Sequence, residues 1–164
     1  MSADAHIVLM GVAGAGKSTV GAALAARLGR RFVEGDDFHP ARNIATMAAG
    51  EGLGNADRDA WIAALSEALN AGPLAVASCS ALNATVRWWL AERTDAPLCF
   101  VQLDVPREVL AARLRARRGH FAGPRLLDSQ LDALDVPADA VRVDADGEAG
   151  AVLDRVVEAL ERAT

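Results

Sequence analysis

The chain has 164 residues, 52% of them hydrophobic and only 4% aromatic, and a formal net charge of −5. That length suits one ordinary globular domain, 1–164, whose core must be built from Ala, Leu and Val rather than from rings. An acidic balance argues against a nucleic-acid partner. No apolar run approaches the 18 residues of a membrane span, and no basic-then-apolar leader is present, so a soluble, cytoplasmic protein is expected.

In chain order, Ile7-Val8-Leu9-Met10 predicts a short buried strand, and Thr19 to Leu28 an Ala/Leu-rich helix. Between them stands Gly11-Val12-Ala13-Gly14-Ala15-Gly16-Lys17-Ser18, which fits G-x-x-x-x-G-K-[ST]. Glycines let the backbone curl around a phosphate, so that its N–H groups and the helix N-terminus face the anion. Lys17 can reach the β- and γ-phosphates, and the Ser18 hydroxyl can ligate Mg²⁺. A strand before and a helix after are the context this motif requires. The segment Gly11 to Thr19 therefore predicts a nucleoside triphosphate site, with ATP and Mg²⁺ as ligands.

Arg31 to Glu34 predicts a second strand, ending at Gly35-Asp36-Asp37. A mixed segment from His39 to Ala56 follows, with a short helix around Asn43 to Ala49. A firmer helix starts at Asp57, carrying Trp61, Leu65 and Leu69 on one face, and Gly72-Pro73 ends it. Leu74 to Ala77 predicts a strand running into Ser78-Cys79-Ser80, Leu82 to Glu92 a helix, and Leu98 to Leu103 a strand. Pro106 opens a helix reaching about Arg118. Gly119 to Pro124 breaks it. A helix over Leu126 to Leu134, a strand over Ala140 to Val143 and a helix over Glu148 to Arg162 complete the chain. Cys79 and Cys99 fall in strand-like runs and read as two buried thiols rather than a disulfide. Adjacent Trp88 and Trp89 point in different directions on a helix, so one belongs in the core and the other at a surface.

Five strands alternating with helices predict an α/β fold, a parallel sheet covered on both faces to make three layers. Ligands in such sheets bind beyond the carboxyl ends of the strands. That rule gathers Gly11–Ser18, Gly35–His39, Cys79–Leu82 and Asp104 at one edge. Phosphoryl transfer needs a carboxylate to take the proton of an acceptor hydroxyl, and Asp36 or Asp37 can supply it. The basic run Arg113, Arg115, Arg117 and Arg118, placed before Gly119-His120-Phe121, suits a flap over about 117–125 that neutralises phosphate charge.

Taken together, these blocks resemble the gluconate kinases, a family of P-loop small-molecule kinases. The likeness rests on Gly35-Asp36-Asp37-Phe38-His39-Pro40, on Asn43-Ile44, Met47, Gly50 and Asp57-Arg58 with Trp61, and on Cys79-Ser80-Ala81-Leu82. It continues through Arg113-Leu114, Arg117 with Gly119-His120-Phe121, Leu126-Leu127 and Ser129-Gln130. The resemblance implies a three-layer P-loop kinase fold and ATP-dependent phosphorylation of D-gluconate at its 6-hydroxyl, with Mg²⁺, by a homodimer. It implies Lys17, Asp36 and Arg117 as catalytic groups, Arg113 and Arg117 beside the nucleotide, and Ser18 on the metal, with Glu34 a weaker metal-side candidate. It implies Asp36, His39, Arg42, Arg58, Ser80, Arg87 and His120 on the substrate side. A guanidinium such as that of Arg42 or Arg58 pairs bidentately with a carboxylate. The chain departs from the family pattern at Asn83, where a Lys is common, and at Val86 and Trp88. Two other readings stay open on the sequence: a kinase for another small hydroxylated acid, and a nucleotide-binding protein without transferase activity.

Overall fold

A computed structural model of the chain describes residues 3–117 and 124–163. Five strands, β1 (His6–Met10), β2 (Arg31–Glu34), β3 (Ala75–Ser78), β4 (Leu98–Asp104) and β5 (Val141–Asp144), form one parallel sheet in the order β2-β3-β1-β4-β5. Seven α-helices are present among the described residues: α1 (Lys17–Leu28), α2 (Ala41–Ala48), α3 (Asn55–Asn70), α4 (Ala84–Arg93), α5 (Arg107–Ala116), α6 (Pro124–Ala133) and α7 (Ala149–Arg162). A 3₁₀ turn at Gly35–Phe38 links β2 to α2. The predicted α/β architecture is the one observed.

Alternation along the central strand explains the three layers. Successive side chains on a strand point to opposite faces. Ile7 and Leu9 accordingly join a core with α1, α5, α6 and α7, while Val8 and Met10 join a second core with α3 and α4. All five residues of β1 are buried, as a strand covered on both sides requires. One of them is polar: His6 accepts the Ala75 N–H at Nδ1 over 3.0 Å.

Helix starts shift by a residue or two from the sequence expectation, and for four of them the neighbouring residues are informative. Helix α1 begins at Lys17 because Gly16, with φ 93°, turns the phosphate loop directly into the first helical residue. Helix α2 begins at Ala41, following Pro40. Helix α3 begins at Asn55, since the Asp57 carboxylate reaches back to the Gly54 N–H at 3.1 Å. Helix α4 begins at Ala84, because the Asn83 side chain accepts the Val86 N–H at 2.9 Å and leaves Leu82 in the preceding loop.

Trp88 is 59% exposed, whereas Trp89 packs on the second core with the Arg93 guanidinium 5.7 Å from its ring. Cys79 and Cys99 are both free thiols. Among the described residues, no helix is long and apolar enough to cross a membrane.

Candidate active site

The loop after β1 has the shape of an anion cradle. Gly14 and Gly16 have φ of 85° and 93°, a left-handed backbone that suits glycine, and a Cβ on Gly14 would also press on Leu114. Gly11 donates its N–H to the Ser80 carbonyl at 3.3 Å, which ties the loop to the end of β3. Lys17 folds back over the loop, its Nζ 3.0 Å from the Val12 carbonyl. Burial pulls the Lys17 ammonium below the ordinary lysine range, a pull opposed by the carboxylates of Asp36 and Glu34. An incoming polyanion would favour the charged form further.

Facing this loop is the 3₁₀ turn, held on three sides. The Gly35 N–H donates to Ser78 Oγ at 3.1 Å, and Trp61 Nε1 donates to the Gly35 carbonyl at 2.8 Å. Glu34 accepts both the Ser78 hydroxyl and the Asp36 N–H. No side chain fits at Gly35, because a Cβ would run into the Ser78 carbonyl. The turn so fixed sets Asp36 in the wall of one cavity with Lys17, Ser18, Ser80, Arg117 and the loop glycines 14 and 16. Asp37 is exposed and lines no part of it. Geometry thus selects Asp36 from the pair.

An adjoining cavity shares His39, Met47, Ser80 and Gln130 with the first, and adds Arg58 and Ser129 as polar groups over an apolar floor of Trp61, Leu82 and Leu126. His39 stacks on Trp61 with ring centroids 4.1 Å apart and 18° between planes. Its Nε2 lies 3.9 Å from Asp36 Oδ1. Burial, aided by the nearby Arg58 charge, holds the imidazole down at about 4, so His39 is neutral at physiological pH. On the far side of the loop, a groove between Gly14, Thr19, Arg113, Arg117 and Gly147 leads away from the phosphate cavity, with Arg117 in the wall of both. The arrangement is a phosphate cradle, one carboxylate, and a pocket for a polar acceptor alongside.

The AAA domain family matches residues 7–125. Gluconokinase of Gluconobacter oxydans (strain 621H) is 42% identical over 92% of this chain and 88% of its own length. The thermoresistant gluconokinase of Escherichia coli (strain K12) is 38% identical over 97% of this chain and 95% of its own. A crystal structure of a gluconokinase from Sinorhizobium meliloti 1021 superposes with a TM-score of 0.86 at 40% identity, covering 97% of this chain and 93% of that one.

The chain belongs to the gluconokinase family.

Against that family's expected site, the structure sorts the arginines. Arg58 and Arg117 stand in cavity walls. Arg42 does not: it is exposed on α2 and lines neither cavity. Arg113 borders the groove, but its guanidinium donates to the carbonyls of Gly14 (3.0 Å), Ala145 (3.1 Å) and Gly147 (3.3 Å), so it braces the cradle from outside. Arg87 corrects the sequence expectation outright. Instead of facing substrate it is buried behind the β3–α4 loop, donating to the carbonyls of Ala81 (2.9 Å) and Asp135 (2.6 Å) and to the Asp135 carboxylate (3.1 Å). Those three bonds hold the guanidinium away from both cavities. His120 and most of the flap expected over 117–125 lie outside the described residues.

Two residues at or beside the cavities carried no chemical signal in the sequence. Gln130, on α6, accepts the Ala13 N–H of the phosphate loop at 2.6 Å across 117 residues of chain. Asn43, wholly buried on α2, spans His39 and the Asp57 carbonyl. Both stand inside blocks of family likeness, yet a single amide on a helix announces no partner until the tertiary fold supplies one.

Proposed function

We propose that this gluconokinase-family chain transfers the γ-phosphoryl group of ATP to the 6-hydroxyl of D-gluconate. The observation that carries this reading is the shared cavity of Asp36 and Lys17, which opens directly into the pocket holding Arg58. The loop N–H groups and the Lys17 ammonium would hold the β- and γ-phosphates. Arg58 is the guanidinium available to the gluconate carboxylate, and Ser80 and Ser129 offer hydroxyls to the polyol chain. Asp36 takes the proton of the attacking hydroxyl as its oxygen bonds to phosphorus and the bond to the ADP oxygen breaks. Positioning and charge neutralisation supply most of the acceleration in such a transfer. Arg117, in the walls of both the phosphate cavity and the groove, places positive charge against the negative charge of the phosphate oxygens.

The donor set suits Mg²⁺. Ser18 offers one hydroxyl at the loop mouth, and an ion that keeps its waters and binds chiefly through phosphates needs few protein oxygens. When bound, it neutralises charge on the transferred group. The same reading takes the enzyme as a cytoplasmic homodimer, and the exposed Trp88 supports a subunit contact.

The test is ADP release with ATP and Mg²⁺ over a panel of sugar acids, polyols and shikimate. Turnover should depend on gluconate and fall more than about a hundredfold in Lys17→Ala, the scale of losing a main electrostatic contact to the transferred group. A signal from another acceptor alone, or normal turnover in the variant, would refute the reading.

A further inference from the structure

Asn43 has a restricted set of choices. Its side chain is wholly buried, and its Nδ2 lies 2.8 Å from the Asp57 carbonyl, a group that can only accept. The amide nitrogen must therefore face Asp57. A flipped amide would set two oxygens against each other, and this orientation persists even though Oδ1 has no protein partner among the described residues. The second hydrogen of Nδ2 then lies toward His39 Nδ1 at 3.3 Å. Accepting it leaves Nδ1 bare, so a neutral imidazole must carry its proton on Nε2. Stacking on Trp61 fixes the plane of the ring, and Nε2 is turned toward Asp36 Oδ1, 3.9 Å away.

That separation is too long for a direct hydrogen bond and short enough for both groups to reach one oxygen, each at about 2.8 Å. We propose that His39, locked by Asn43 as its Nε2–H tautomer, donates a hydrogen bond to the acceptor hydroxyl that Asp36 deprotonates. The hydroxyl oxygen has two lone pairs and one proton. His39 occupies one lone pair and Asp36 receives the proton, so the other lone pair is left for phosphorus. As the O–P bond forms, the proton passes to the Asp36 carboxylate, the bond from the γ-phosphorus to the ADP oxygen breaks, and His39 keeps its own proton. His39 is then a hydrogen-bond donor to substrate rather than a base, and Asn43 is a positioning residue acting through it. This assignment rests on the proposed phosphoryl transfer, but its first half can be read without any turnover.

Two measurements decide it. In ¹⁵N-labelled wild-type protein at neutral pH, the His39 imidazole should show a bare Nδ1 and a protonated Nε2; in Asn43→Asp the buried acid keeps its proton on the oxygen facing the Asp57 carbonyl and turns its bare oxygen to Nδ1, which should reverse the pattern. A protonated Nδ1 in the wild type, or an unchanged tautomer in Asn43→Asp, overturns the role of Asn43 whatever the enzyme phosphorylates. In the kinetic arm, His39→Gln places an amide nitrogen near the Nε2 position and His39→Asn places one near Nδ1. The Gln variant should hold the acceptor KM within about threefold, while the Asn variant should raise it about tenfold or more, the scale of one lost hydrogen bond to substrate, with the KM for ATP unmoved in both. Equal losses in the two variants overturn the donor role. Absence of gluconate turnover in the wild type refutes the reaction and leaves the tautomer result standing.

Discussion

Ala81 sits in a left-handed backbone at φ 46°, wholly buried and directly after Ser80, which lines both cavities. For an alanine this costs roughly 1–2 kcal/mol, and such strain persists only where neighbours over-determine it. Arg87 is that neighbour: it grips the Ala81 carbonyl while anchored to Asp135, whose own N–H donates to the Leu82 carbonyl at 2.7 Å. The motif around Ser80 was visible in the sequence, but the reason for its shape was not, because a buried guanidinium and a catalytic one look alike in a string of letters. Asp36 and Asp37 posed the same difficulty. Adjacent carboxylates are equivalent on paper, and only the 3₁₀ turn, with Gly35 pressed against Ser78, sends one into the cavity and the other to solvent. Asp36→Asn should therefore lower kcat by about 10²–10⁴-fold, the usual range for a general base, while ATP still binds. Calorimetric titration beside steady-state kinetics checks both halves, and an unchanged kcat would move the base elsewhere.

At the level of elements, the sequence located every strand and helix but misplaced several ends, since ends are set by caps. Asn83 is the informative case. The family commonly carries Lys at this position, so its loss reads from the sequence as a charge removed from the site. In the fold, Asn83 lines neither cavity and caps α4 through the Val86 N–H. Asn83→Lys should cost about 1 kcal/mol and lower Tm by about 2–4 °C, whereas Asn83→Asp should hold Tm near wild type. Thermal unfolding of the three proteins tests this, and an undiminished Tm in Asn83→Lys would show the cap to be idle. Helix α6 teaches a related lesson. The helix was legible and its Leu126 and Leu127 join the core, yet Gln130 on the same helix reaches the phosphate loop, a contact made only when the chain folds back on itself.

For the molecule as a whole, two neutral buried histidines predict acid sensitivity. His39 is held at about 4, against an ordinary value near 6.5, by burial first and Arg58 second. His6 is lowered by burial first and then by Arg31 and Arg30, and its Nδ1 must stay bare to accept the Ala75 N–H. As pH falls through 6.5 the unfolded chain takes up these protons and the folded chain does not, so unfolding becomes easier as pH falls. For His39 the loss is complete near pH 4 and amounts to at most about 3 kcal/mol. Urea midpoints between pH 7 and pH 4 should therefore fall, and His39→Gln should flatten the slope; equal slopes would disprove the linkage. The sequence by itself determined the alternation of strands and helices, the phosphate loop and the family, because these are encoded in local periodicity and in the spacing of adjacent residues. Tertiary structure decided which carboxylate meets the cavity, which arginines line it and which brace a loop, and that Asn43 lies against His39. Those outcomes depend on burial and on partners distant in the chain, and neither exists before the sheet brings its strand ends together.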